Sequence, residues 1–144
     1  MNFNSFNRTI LNSIKINSLK ARTMVFVLPG HLASSASGIE LRFPEKGRIV
    51  DIYASCSTRG STDTIMTIEK CNQIDYDTNP YWVNILSSNI ILNAHSKSTN
   101  TSASLPIAVQ PNVEKNDHFR INVLSVGQGI AGVTVEVVVE LDIK

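Results

Sequence analysis

The sequence predicts an all-β protein, an antiparallel β-sandwich of about eight strands with jelly-roll-like connections. The clearest observation is a period of two near the C-terminus, where apolar and polar residues alternate as in a half-buried strand. The apolar set there is Val133, Val135, Val137, Val139 and Leu141. Upstream, short apolar segments are separated by turn residues about every 8 to 15 positions, and none of them shows helical periodicity.

The individual strands follow from this alternation and from the turns between them. The predicted strands are residues 25–28, 38–43, 48–57, 64–70, 82–86, 90–93 and 105–109, followed by residues 119–125 and 132–144. Residues 64–70 are the predicted partner of residues 48–57, and the last two strands are predicted to form a hairpin across the glycine-rich turn at residues 127–132. The predicted core consists of Val50, Ile52, Phe119, Ile121, Val133, Val135, Val137 and Val139.

The N-terminal residues 1–23 are predicted to form an anchoring arm, extended or briefly helical, outside a sandwich domain of residues 24–144. Isolated apolar side chains lie in an Asn- and Ser-rich stretch, and a helix this short is marginal in water without a partner. The arm is therefore expected to bind another chain. Its predicted contact residues are Phe3, Phe6, Ile10, Leu11 and Ile14.

Composition excludes several kinds of partner. The formal net charge is +1 and only 17% of residues are charged, so the chain has no electrostatic footprint for nucleic acid or for an anionic membrane. No apolar run of about 18 residues is present, so no spanning helix is predicted. Strand parity places Cys56 and Cys71 on opposite faces, and the two thiols are therefore expected to be unbonded.

No sequence motif for catalysis, a metal or a cofactor stands out. The three histidines lack the close spacing of metal ligands. The acidic run at residues 75–79 is like the start of a calcium loop, but Pro80 and Leu86 stand where such a loop needs glycine and glutamate. No nucleophile elbow, phosphate loop or dinucleotide fingerprint occurs. The chain is therefore predicted not to be an enzyme and to need no cofactor.

The same acidic segment contains aromatic residues. Flat aromatic faces beside acids and amides suit sugar recognition, and loops on rigid β scaffolds often carry binding function. The candidate recognition residues are Asp75, Tyr76, Asp77, Asn79 and Tyr81. For the neighbouring Trp82, a core position is expected, because it is the only Trp and opens an alternating strand; a recognition role is the alternative. The polar connections at residues 72–81 and 94–102 are expected to meet another molecule; the alternative is that both are only solvated.

A longer pattern runs through the second half of the chain: a dipeptide ending in Asp, an alternating strand, a glycine-rich turn and a final alternating strand. Its segments, with related ones upstream, are residues 41–44, 47–52, 57–58, 116–123, 126–129 and 132–135. This pattern resembles small jelly-roll domains in structural proteins of tailed bacteriophages, among them head-fibre, capsid-decoration and tail-fibre proteins. Asn116 and Asp117 stand where that family usually has Gly-Asp. The resemblance implies a virion protein, often a homotrimer.

The expected function is that of a non-enzymatic phage structural protein, in a capsid-decoration, head-fibre or tail-associated position. The arm would bind other virion proteins and the sandwich would project from the particle. The expected location is the virion, after synthesis in the host cytoplasm. Val138, an apolar residue on the polar face of the last strand, is a hint of a subunit interface. The alternative is a carbohydrate-binding or host-adhesion module that contacts a host cell-surface glycan.

Overall fold

The computed structural model describes residues 20–142, and they form an all-β sandwich of antiparallel sheets with one short α-helix. The described part contains eleven strands, which we number in chain order: β1 Ala21–His31, β2 Ala36–Phe43, β3 Gly47–Thr58, β4 Thr64–Cys71, β5 Val83–Asn84, β6 Leu86–Ser88, β7 Ile90–Leu92, β8 Ile107–Ala108, β9 Asn112–Val113, β10 Asp117–Ser125 and β11 Ala131–Leu141. The helix, α1, spans Gln73–Thr78, and a 3₁₀ turn spans Thr99–Thr101.

Nine of these strands build the two main sheets. One sheet has the order β1-β11-β3-β9, and the facing sheet has the order β2-β10-β4-β5, with β7 also pairing with β4. The chain changes sheet at every step from β1 to β4 and again between β10 and β11. This is jelly-roll wiring, in which strands adjacent in sequence lie in opposite layers. The predicted antiparallel sandwich of about eight strands is confirmed.

Two predicted strand pairings are wrong. Strand β10 pairs with β2 and β4, whereas β11 pairs with β1 and β3, so the last two strands do not form a hairpin. Strands β3 and β4 likewise belong to different sheets. The physical reason is burial: both strands of each pair carry a full apolar row. Placing the strands in facing layers lets those rows cover each other, as the two inner faces of a sandwich do.

The inner face of β11 follows the predicted alternation. Val133, Val135, Val137 and Val139 are fully buried, and Phe119 and Ile121 of β10 are buried opposite them. The β11 ladder keeps this parity along almost its whole length because both of its neighbours are long antiparallel strands. The predicted strand register of β11 is therefore confirmed.

Strand β3 departs from the predicted alternation at one point. Val50, predicted to lie in the core, is 52% exposed, and Ile49 is buried in its place. The register of β3 against β11 shifts here, because Val138 pairs with Asp51 while Val139 pairs with Ile49. Val50 is the extra residue of a β-bulge, and a bulge reverses the side-chain parity on one side of it. Ile52, beyond the bulge, packs against the core as predicted.

The connection between β10 and β11 requires glycine. Gly132 has φ of +64°, and a Cβ there would overlap the Ser57 side chain. A Cβ on Gly127 would overlap the carbonyl oxygen of Thr62. The glycine-rich turn is thus needed for close packing where the chain crosses between the sheets.

Three further predictions concern the ends of the chain and the thiols. Strand β1 begins at Ala21, ahead of the predicted start of the sandwich at residue 24, and the arm contacts predicted for residues 1–19 lie outside the described residues. Cys56 and Cys71 are buried and free, as the parity argument predicted. Within residues 20–142, no helix has the length and apolar character to cross a membrane.

Candidate functional site

One of the predicted recognition residues, Tyr76, packs on the outer face of the β2-β10-β4 sheet. The segment after β4 was expected to be a loop, but residues 73–78 form α1. Asn72 caps this helix: its Oδ1 accepts the Asp75 N–H at 2.8 Å, and its Nδ2 donates to Asp75 Oδ2 at 2.8 Å. Reciprocal bonds of this kind stabilise a helix start. The polar residues that indicated a loop are therefore used as helix caps.

The second acid of the run is also bonded within the helix. Asp77 Oδ2 accepts a hydrogen bond from Gln73 Nε2 at 2.8 Å, one helical turn away. Asn79 ends the helix, with its backbone N–H donating to the carbonyl of Asp75 at 2.9 Å. The spacing of acids in this run thus follows from the short helix.

Tyr76 packs on the sheet instead of projecting into solvent. Its ring stacks on that of His118 with centroids 3.6 Å apart and planes within 4°. Its hydroxyl donates to Glu40 Oε2 at 2.6 Å, and this hydrogen bond is the main reason that the pKa of Tyr76 is raised. The ring and the hydroxyl of Tyr76 are both used within the chain.

Trp82 lies beside Tyr76, half-buried on the outer face, so the expected core position of Trp82 is wrong. The two rings meet edge to face with centroids 6.1 Å apart. The guanidinium of Arg120 lies 4.3 Å from the centre of the Trp82 ring, a cation–π distance, and its Nε donates to Glu69 Oε1 at 2.8 Å. We call Tyr76, Trp82, His118, Arg120, Glu40 and Glu69 the aromatic cluster.

Strand register positions the charged members of the aromatic cluster. Arg120 of β10 lies directly between Glu40 of β2 and Glu69 of β4. Cross-strand pairs of opposite charge at this spacing are mutually stabilising. Alternation along residues 119–123 could have placed Arg120 and its neighbour His118 on the outer face. The two glutamates could not have been found, because the sequence does not show which strands flank β10.

His118 is the buried centre of this region. Its Nε2 lies 2.9 Å from Gln73 Oε1. Burial is the main cause that lowers the pKa of His118 below the ordinary 6.5. Next to it, burial raises the pKa of Asp117, although the Glu114 N–H and Lys70 act in the opposite direction. Both groups therefore resist their charged forms, as expected for side chains held inside a packed layer.

Of the predicted recognition residues, Asp77, Asn79 and Tyr81 are exposed. Tyr81 is 71% exposed, and Ile74 on α1 is exposed as well. One face of the Tyr76 ring is covered by His118. Asp75 is hydrogen-bonded to the helix cap Asn72, and Asp77 is hydrogen-bonded to Gln73 within the helix. The predicted residues thus fall into a packed part, which contains Tyr76, and an exposed part, which contains Tyr81.

The other predicted recognition segment, residues 94–102, packs along β3. Thr99 is buried, and its Oγ1 accepts the Ala54 N–H at 3.1 Å. The Cys56 N–H donates to the Lys97 carbonyl at 2.9 Å, and Ser98 forms a single bridge with Ser55. β9 pairs with β3 only at Gly47 and Arg48, and residues 94–102 provide hydrogen-bond partners farther along the same edge of β3. Much of this segment therefore stabilises the sheet.

A groove of about 250 Å³ lies beside the bulge of β3. Val50 and Ile107 on its walls are both exposed. The groove is lined by Arg48, Ile49, Val50, Asp51, Ile52, Pro106, Ile107, Ala108 and Pro111. We call it the β3 groove. Among residues 20–142, no group of three or more His, Cys, Asp or Glu side chains is placed to hold a metal ion.

Comparisons with known proteins give little further information. No family model matches this sequence, and no curated protein matches it. Among solved structures, the chain is similar to the crystal structure of the Drosophila NLP core, described in terms of pentamer formation and histone binding. The TM-score is 0.42 at 8% sequence identity, over 85% of this chain and 99% of that one. A likeness this weak says nothing about the function of this chain.

Proposed function

We propose that this chain is a non-enzymatic structural protein of a bacteriophage particle, in a capsid-decoration, head-fibre or tail-associated position. The observation that supports it best is the β3 groove. Two of its lining residues, Val50 and Ile107, are exposed apolar side chains, whereas the side chains of the aromatic cluster are bonded within the chain. Contiguous exposed apolar surface is typical of protein contact sites. The link to phage proteins rests on the sequence resemblance.

In this proposal the N-terminal arm binds other virion proteins and the sandwich projects outward. The test is a full-length variant with Phe6→Asp and Leu11→Asp, which puts two charges into the predicted apolar contact. A matched control, Asn4→Asp with Asn12→Asp, adds the same charge to the same segment without removing an apolar side chain. Incorporation is measured by mass spectrometry of purified particles after complementation with each variant.

We expect the chain in particles made with the parent and with the control, and its loss from particles made with the Phe6/Leu11 variant. The melting temperature of the soluble protein should be the same in all three. The proposal is wrong if parent particles contain no copies of the chain. The arm's role is wrong if the Phe6/Leu11 variant is incorporated as well as the control.

A second candidate function is host adhesion through a surface glycan. The specific observation in its favour is Tyr81, whose ring is largely exposed beside α1. An exposed aromatic face is what a sugar ring stacks against. Tyr81→Ala should then abolish binding to host cells or to a glycan array, while Tyr81→Phe should retain most of it. Equal binding by both variants, or none by the parent, would remove this candidate.

A further inference from the structure

Between Thr23 and Leu28, the outer edge of β1 lacks the features that keep natural sheet edges from pairing. Among the strands of residues 20–142, β1 is terminal in its sheet and its one partner is β11. From Thr23 to Leu28 it has no charge, proline or glycine, and its register against β11 shows no shift until after Leu28. Exposed edges are normally blunted by charges, prolines or bulges, because their free backbone groups pair readily with other strands.

The hydrogen-bond pattern shows which residues face this edge. The Leu141 N–H donates to the Lys20 carbonyl, one step before Ala21 pairs with Glu140, so Lys20 and Leu141 are a hydrogen-bonded pair. Such pairs alternate along an antiparallel ladder. Met24 and Phe26 therefore direct their backbone groups to β11. The opposite set is Thr23, Val25 and Val27, whose N–H and C=O groups point away from the sheet.

These outward groups lack partners within the described chain. Among residues 20–142, no hydrogen bond reaches Thr23, Val25 or Val27 from the outer side. The side chains at the same positions lie on the outer face, where Val25 is 45% and Val27 is 53% exposed. One stretch of strand thus offers both free backbone groups and accessible β-branched side chains.

We propose that β1 pairs antiparallel with β1 of a second copy of this chain, about a twofold axis, to give one continuous eight-stranded sheet. An antiparallel edge is complementary to itself, because its outward residues can exchange N–H···O bonds with the same residues of the other copy. The charges permit it: the stretch is uncharged, and a formal net charge of +1 gives little repulsion between copies. Main-chain bonds supply affinity in such pairings. The inference does not depend on the virion role.

The usable edge ends where the sequence stops it. Pro29 lies on the outward set and has no N–H, and the register shifts between Leu28 and His31. The pairing is therefore confined to the residues before Leu28, which limits it to one contact of fixed extent. A free edge that continued would favour open-ended aggregation.

The test uses the full-length protein and the variants Val25→Pro and Val25→Thr. Proline removes the outward N–H of residue 25 without touching the bonds to β11, whereas threonine keeps the N–H and the β-branched shape. Light scattering over a concentration series should give twice the chain mass of 15.8 kDa, or a higher even multiple, for the parent and for Val25→Thr. Val25→Pro should associate about tenfold or more weakly.

Amide hydrogen exchange gives a residue-level readout. Amides of Val25 and Val27 should become protected as concentration rises, while those of Met24 and Phe26 should be protected throughout and also in Val25→Pro. If proline prevents folding, Val25→Lys replaces it. Lysine keeps the N–H but places two like charges across the contact, so this variant should associate more weakly than the parent. Added salt screens the repulsion and should restore part of the association.

Three results would overturn the proposal. One is a monomer at the highest soluble concentration, and another is an odd number of copies, including the trimer expected from the family resemblance. The third is protection of Val25 and Val27 in a monomer that is lost in the full-length Ile10→Asp, Leu11→Asp variant. That result would assign the edge of β1 to the chain's own N-terminal arm.

Discussion

His118 is the one buried residue of the aromatic cluster. It lies on β10 between Arg42 of β2 and Cys71 of β4, under the ring of Tyr76 and within hydrogen-bond distance of Gln73. A protonated imidazole would need more solvation than this layer allows. The side chain is therefore a structural group that packs best in its neutral form.

Acidification should destabilise the fold through His118. Its folded pKa is lowered, chiefly by burial and also by Arg42, while Asp77, Glu40 and Asp117 oppose the shift. A lowered pKa means that the unfolded chain binds the proton more readily, so the contribution to stability is complete above the ordinary pKa of 6.5 and is lost as pH falls below it. We expect the melting temperature to drop on that side of 6.5.

The variant His118→Gln should have a lower melting temperature than the parent at neutral pH. Its melting temperature should fall less steeply than that of the parent as pH drops below 6.5. His31→Gln, at an exposed position, is the control and should follow the parent. A parent profile that rises on acidification, or a His118→Gln profile as steep as that of the parent, would show that another group dominates the pH dependence.

Some features of a strand or helix depend only on its own sequence, and others depend on its neighbours in the fold. Alternation placed the inner row of β11 correctly, because side-chain direction depends only on the extended backbone. The bulge in β3 moved Val50 outward and Ile49 inward, and it exists only in relation to β11. The helix α1 formed where a polar loop was predicted, since Asn72 caps it and Tyr76 packs it on the sheet.

The bulge makes opposite predictions for two adjacent residues. Ile49→Ala should lower the free energy of unfolding by about 2–5 kcal/mol, because it leaves a cavity in the core. Val50→Ala should change it by no more than about 0.5 kcal/mol, as is usual for exposed positions. Urea unfolding of the two variants measures both values. A larger loss for Val50→Ala than for Ile49→Ala would mean that β3 has no bulge and that the original parity holds.

At the scale of the whole molecule, jelly-roll wiring puts the two thiols in different environments. Cys56 of β3 belongs to the core between the sheets, whereas Cys71 at the end of β4 lies outside that core, beside α1. Burial raises the pKa of both thiols, so both are poor nucleophiles in the folded state. Exposure of Cys56 should therefore require unfolding of the sandwich, whereas exposure of Cys71 should require only the release of α1.

Thiol labelling should separate these motions. In Cys71→Ser, the remaining Cys56 should react only after global unfolding, so its rate should rise steeply with urea. In Cys56→Ser, the remaining Cys71 should react through local release of α1, faster and with a weaker urea dependence. Rates are followed with a chromogenic disulfide reagent. Equal rates and equal urea dependence would show that α1 and the sandwich open as one unit.

The sequence by itself determined most of the long strands and the direction of most of their side chains. The fold class, the buried row of β11, the free thiols and the need for glycine between β10 and β11 all follow from local rules of alternation and backbone freedom. The tertiary structure alone decided which strands pair, where β3 bulges and which residues surround His118. Those features depend on contacts between distant parts of the chain, because strand partners are chosen by how completely two layers bury each other. The same dependence explains the candidate site: Tyr76 was recognisable as an aromatic residue, but only the pairing of β2 with β10 brings Glu40 to its hydroxyl.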